Sequence, residues 1–265
     1  MNIKSIYPVS SLVLLILLIS GCTADEAADV VLPDVIENTD DSESSDDSEN
    51  TEDDSVTDNT MCSEPLNFVF NESNGLVLAE FEDAEFTADW ILKTDGTKYS
   101  GEGYMVWEGN QNLSNPGIGT ATFKLQIENP GTYQFIWHSA VTIGDNGTDH
   151  NDTWLRFNDA DDFYAQNTQG TSTVYPKDTG KTPNPEGATK DGWFKVYRSG
   201  NDLDFKWQST TYDNNGHNVF VVFNNPGTYL MEISARSSGH GIDKFALFNS
   251  CLLYTSDAAD DVSTV

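Results

Sequence analysis

Glu80 and Glu82 stand two residues apart, so on a β-strand their carboxylates share one face. Asp243, in the last apolar-alternating run, is expected to arrive beside them. Three carboxylates meeting at a sheet end repel one another unless a cation neutralises them; otherwise they are solvent-facing acids on an edge strand. A second group, His150, Asp152 and His240, offers hydrogen bonds at a loop rim. As zinc ligands these three lack support, since the histidines are far apart in sequence and no His-x-His or Cys cluster accompanies them. No Ser-His-Asp constellation stands out, and paired acids are too abundant here to mark a catalytic pair. The chemistry expected is recognition, without catalytic residues.

Six tryptophans supply the other conspicuous side chains. Trp137 alternates with Phe135 and Tyr133 and belongs to a core, whereas Trp154 and Trp207 sit in alternating runs that fit a core or a site equally. Trp193 follows Lys190-Asp191-Gly192, a turn-like setting. Arg156, Arg198 and Arg236 are candidates to reach a ligand carboxylate or sulfate.

The elements that must position these residues alternate with period two from Leu66 onward, and no stretch supports a long amphipathic helix. Phe123, Leu125 and Ile127 lead into Asn129-Pro130-Gly131 and then Tyr133, Phe135 and Trp137. Val219, Val221 and Phe223 lead likewise into Asn225-Pro226-Gly227 and then Tyr229, Met231 and Ile233. Each Pro-Gly-Thr-Tyr predicts a hairpin reversal. Further strands are predicted at 76–81, 103–107, 153–157, 193–197, 205–207 and 244–248. The fold class is therefore all-β, a jelly-roll β-sandwich of two antiparallel sheets. Residues 158–191, rich in Gly, Thr, Pro and Asp, exceed ordinary connection length and are expected to form a functional or mobile loop.

Charge divides the chain of 265 residues, whose formal net charge is −30. Residues 23–62 hold 15 acidic and no Lys or Arg side chains, whereas 63–250 hold 25 acidic and 12 basic ones with all 6 Trp and all 14 Phe. This balance excludes nucleic acid and anionic membrane surfaces as partners. Residues 22–62 are expected to be a disordered acidic tether, without the glycine-punctuated loop that would fix calcium. Ser11 to Ser20, following Lys4, is about half the length of a spanning helix and runs into Ile19-Ser20-Gly21-Cys22. That box is similar to the bacterial lipoprotein cleavage site. Residues 1–21 are thus expected to be a signal peptide, with Cys22 the lipidated first residue of an extracytoplasmic protein anchored to a bacterial membrane, at an outer membrane or cell surface.

Residues 251–265, beginning Cys251-Leu-Leu-Tyr-Thr-Ser, resemble a translated sequencing-library adapter and are set apart from the fold. Natural sequence is then expected to continue past Ser250. Of three cysteines, Cys22 goes to lipid and Cys251 to the adapter-like tail, which leaves Cys62 without a partner.

Four segments together resemble the family 6 and family 35 carbohydrate-binding modules: Glu80-Phe81-Glu82-Asp83, Gly103-Tyr104-Met105-Val106-Trp107, the paired Pro-Gly-Thr-Tyr units, and Gly241-Ile242-Asp243-Lys244-Phe245. The resemblance covers about residues 76–249 and implies a galactose-binding-like β-sandwich. It implies a structural Ca2+ at Glu80, Glu82 and Asp243, and binding rings at Trp107 and Trp193. The full candidate ligand set is Trp107, Trp193, His240, Tyr104, His150, Asp152 and Trp154. The chain departs from the family's pattern at Gly241, where an Asn is usual. The expected function is non-catalytic binding of polysaccharide by a monomeric lipoprotein, with neutral or mildly charged glycans favoured by the acidic domain. The alternative is the N-terminal binding part of a longer glycoside hydrolase or polysaccharide lyase.

Overall fold

A computed structural model describes residues 68–249, apart from Ala88 and Thr97. The expected signal peptide, Cys22, the tether, Cys62 and the adapter-like tail lie outside the described residues. Among these residues no helix is long and apolar enough to cross a membrane.

The chain forms fifteen strands: β1 (Val69–Asn71), β2 (Leu76–Glu80), β3 (Trp90–Lys93), β4 (Tyr104–Trp107), β5 (Ala121–Ile127), β6 (Gly131–Val141), β7 (Asp152–Arg156), β8 (Asp162–Gln166), β9 (Thr173–Val174), β10 (Phe194–Tyr197), β11 (Lys206–Trp207), β12 (Thr210–Thr211), β13 (His217–Phe223), β14 (Gly227–Ser234) and β15 (His240–Phe248). One 3-10 turn, Phe81–Asp83, interrupts them. β1, β5, β14, β7 and β10 form one layer; β8, β13, β6 and β15 form the other, with β2 and β4 on the far side of β15 and β3 beyond β4. The two-residue β12 pairs with both β10 and β13, so hydrogen bonding runs from one layer into the other as a single curled sheet. The all-β sandwich expected from period two is thus observed, with one departure: β1 runs parallel to β5.

Inward positions alternate as predicted. Phe123, Leu125 and Ile127 of β5 and Tyr133, Phe135 and Trp137 of β6 are all fully buried, each apolar side chain contributing about 1.5 to 3 kcal/mol by leaving water. Phe123 meets Phe245 across the layers at 5.0 Å between ring centroids, and Phe163 meets Phe194 at 5.3 Å.

Neither Pro-Gly unit closes a hairpin. β5 pairs with β14 and β6 with β13, so each unit carries the chain from one layer to the other. The two crossings have the same corner: Tyr133 donates its hydroxyl to the Asn129 carbonyl at 2.6 Å, and Tyr229 donates to Asn225 at 2.8 Å. A hairpin would keep both arms in one sheet; the tyrosine bond instead ties the turn to its own returning strand, as at the corner of other sandwiches. Residues 158–191 are also more ordered than a loop, since they contain β8 and β9, and β8 pairs along β13.

At Asp243 the pairing of β15 with β6 shifts register between Ile242 and Lys244. The bulge inserts one residue, which keeps Ile242, Phe245 and Leu247 all in the core and re-aims Asp243.

Candidate functional site

Where β11, β6, β15 and β4 lie side by side, five rings form a continuous row. Trp207 stands opposite His138 with centroids 5.3 Å apart. His138 lies 5.3 Å from Phe205, Phe205 5.1 Å from Tyr104, and Tyr104 5.7 Å from Tyr99. Trp207, His138, Phe205 and Tyr99 are half-buried, and Tyr104, between Phe205 and Tyr99, is buried. The strand period explains the row: because Trp137 faces inward on β6, His138 must face outward. Lys244 holds its ammonium 5.8 Å above the Trp207 ring. Polar groups border the other end, with Tyr104 donating to Asp95 Oδ1 at 2.9 Å and Lys98 paired to Asp204 at 2.8 Å. Burial, with Asp95 beside it, pushes the Tyr104 phenol up to about 12.

The three carboxylates named from sequence lie next to this row and anchor the segment that carries Tyr99. Ser100 Oγ donates to Glu80, 2.8 Å from each oxygen, and the Ser100 amide donates to Asp243 Oδ1 at 2.9 Å. The amides of Glu102 and Gly103 donate to Glu82 Oε1 at 2.8 and 3.3 Å. Gly101, at φ +61°, fits so closely that a Cβ there would stand 2.2 Å from Glu82 Oε1. Asp243 is fully buried, and its second oxygen accepts from His138 Nδ1 at 2.6 Å. Burial pushes the Glu82 carboxyl up and the neighbouring Glu80 charge adds to this, against the hydrogen bonds that it accepts.

Among the described residues no three His, Cys, Asp or Glu side chains are gathered so as to hold a metal ion. Glu80, Glu82 and Asp243 each spend oxygens on the Ser100–Gly103 segment, and Asp243 turns to His138. Glu82 Oε2 stays buried without a protein partner, an acceptor that a Ca2+ at this place would use. Of the residues of the zinc alternative, His150 bonds the Ser238 carbonyl, Asp152 binds Arg236 and Ser237, and His240 bonds Thr153.

Of the seven expected ligand residues, only Tyr104 belongs to the row. Trp107 is 3 % exposed because two glycines press on its ring; a Cβ on Gly109 or Gly119 would stand 2.4 or 2.5 Å from it. Its indole nitrogen donates to the Asn110 carbonyl. Trp193 is 2 % exposed and covered by the Arg156 guanidinium at 4.4 Å. Trp154 is covered by Arg236 at 5.0 Å and donates to the Asn112 carbonyl. None of these three rings has an open face. His240 and Asp152 are buried within the sandwich and its loop supports, and His150, at φ +56°, is half-buried.

The three arginines expected to reach an anion are paired internally, Arg156 with Glu232, Arg198 with Asp202 and Arg236 with Asp152. A cleft of about 470 Å3 beside Arg156 also contains Lys181, itself paired with Asp162. The sequence reading missed His138, Phe205 and Tyr99. Alternation alone marked His138 as outward, but nothing in the sequence placed the 99–104 and 205–207 segments beside it.

No protein-family model matches the sequence, and no curated protein does. Solved structures do. A family 35 carbohydrate-binding module from Clostridium thermocellum matches at 16% identity, over 66% of this chain and 98% of that one, with a TM-score of 0.37. The chain is similar to carbohydrate-binding modules. A Podospora anserina β-(1,4)-mannanase described as GH26-CBM35 matches at 16% identity over 67% of this chain, with a TM-score of 0.38. An Arthrobacter globiformis T6 isomalto-dextranase complexed with panose matches at 16% identity over 66%, with a TM-score of 0.39. The chain spans 28% of the mannanase and 24% of the dextranase. At these identities and TM-scores no residue role is carried across from them.

Proposed function

We propose that this chain binds polysaccharide without cleaving it, laying sugar C–H faces on the row formed by Trp207, His138, Phe205 and Tyr99. The observation that carries this reading is the unbroken chain of ring contacts on a half-exposed sheet face, flanked by Lys244, Asp95, Lys98 and Asp204. Rings bind the apolar face of a pyranose while such polar groups take its hydroxyls. The carboxylates beside the row hold the Ser100 hydroxyl, three backbone amides and His138, and so position the row. Neutral or mildly charged glycans suit a domain with this acidic excess. We further propose that lipid on Cys22 holds the protein outside the cytoplasm, tethered to a membrane.

Affinity electrophoresis of the full chain against plant and algal polysaccharides tests the reading. At least one glycan is expected to retard the protein, and Trp207→Ala and Phe205→Ala to migrate freely while keeping the native circular dichroism spectrum. No retardation across the panel, or retardation kept by both variants, overturns it.

A further inference from the structure

Between the two layers, away from the ring row's outer face, the core changes from apolar to polar. Trp137, Ser139, Arg198 and His240 are all fully buried there. In each, one side-chain atom has no partner within the protein: Trp137 Nε1, Ser139 Oγ, Arg198 Nε and His240 Nε2. Trp137 and Ser139 are two apart on β6 and face the same way. His240 stands opposite Val141 on the adjacent β15, and Ile242 opposite Ser139, so His240 is a diagonal neighbour of Ser139. The imidazole meets the Trp137 ring at 5.0 Å. Arg198 comes from the other layer, just after β10, where its backbone is bonded to Asn151.

The four groups share one chemical character. Indole and guanidinium N–H groups only donate, and a hydroxyl can donate. The Thr153 hydroxyl lies 2.9 Å from His240 Nδ1; with that hydroxyl donating, the single proton of a neutral imidazole sits on Nε2. His240 is held neutral, since burial, with the Arg198 charge adding to it, pushes it down to about 3. Arg198 and Lys206 share the Asp202 carboxylate, whose side chain is 51% exposed, and the Asp204 charge also bears on Arg198.

We infer that these four donors hold a small monovalent anion of chloride size between the layers. A water molecule would bring two protons of its own among groups that can all donate, whereas a halide brings only acceptor capacity. Leaving four buried donors unpaired would be costly, so occupancy is coupled to folding. The site is separate from the glycan row and depends on no assignment made there.

Thermal melting of the full chain in sodium chloride, compared with sodium methanesulfonate at equal ionic strength, tests the inference together with crystals grown in bromide. Chloride is expected to raise Tm by about 3 °C, and Ser139→Val and Arg198→Met to remove the difference. Bromide is expected to give an anomalous peak within hydrogen-bond distance of Trp137 Nε1 and Arg198 Nε. Equal melting in the two salts, or a difference unchanged in Ser139→Val, overturns the inference. So does a map with water or nothing at that point. If Arg198→Met fails to fold, Ser139→Val and the bromide map decide.

Discussion

His138 Nδ1 lies 2.6 Å from Asp243 Oδ2, which joins the ring next to Trp207 in the outer row to a carboxylate wholly inside the sandwich. The bulge in β15 aims Asp243 at His138, and the other Asp243 oxygen takes the Ser100 amide. One buried side chain thus holds two parts of the row in register. A buried carboxylate that loses its partner is costly, at about 3 kcal/mol or more. His138→Leu should therefore lower stability in urea by about that amount, and the folded fraction should also bind glycan more weakly. A variant as stable as the parent would remove Asp243 from this role.

Trp107 behaves as a core residue despite its place in the binding-module resemblance. Trp107→Ala should lose about 3 to 5 kcal/mol of stability, the cost of a large buried ring leaving a cavity. Trp207→Ala should lose much less, because Trp207 is half-buried on the surface. Urea midpoints of the two variants, measured together, check the assignment. A stable Trp107→Ala without glycan binding would return Trp107 to the ligand face.

Glu72 is 4 % exposed and clamps the first interlayer crossing to the turn after β1. It accepts from the Glu128 and Asn129 amides at 3.0 and 2.8 Å, from the Asn129 side chain, and from the Gly75 amide. Burial raises its pKa, but these bonds together outweigh burial and leave it lowered from 4.5. Its stabilisation is then complete above pH 4.5 and is lost as pH falls through the folded value. Glu72→Gln should cost about 2 kcal/mol at neutral pH, with the gap to the parent closing in acid. A pH-independent gap would show that the charge contributes nothing.

His240 titrates in a different window. Its folded pKa of about 3 lies below the ordinary 6.5, so the unfolded chain takes up a proton first. Stability should fall as pH drops from 6.5 toward 4.5, before Glu72 contributes, with about one proton bound on unfolding. The groups around it are Trp137, Thr153 and Arg198, of which only Arg198 is charged. His240→Gln should flatten this part of the profile, and an unchanged slope would assign it elsewhere.

Chelation tests the calcium expectation. Glu82 Oε2 is buried without a protein partner next to the Glu80 charge, so with calcium seated there EDTA should lower Tm and calcium alone should restore it. A Tm that EDTA leaves unchanged would remove these three residues as calcium ligands.

Period two alone determined the all-β class, most strand positions and which residues of β5, β6 and β13 face the core, because alternation depends on local geometry. It also marked the two Pro-Gly-Thr-Tyr units as reversals. Whether a reversal stays in one sheet or crosses to the other depends on which strands pair afterward, and only β5·β14 and β6·β13 pairing showed that both cross. The fate of each tryptophan was decided the same way. Trp107, Trp154 and Trp193 are covered by Gly109, Gly119, Arg236 and Arg156, which approach from other strands and loops. The open row instead joins Tyr99, His138, Phe205 and Trp207 from segments up to 108 positions apart. Sequence determined which side chains exist and which way each leans from its strand; long-range packing decided which of them water and a ligand can reach.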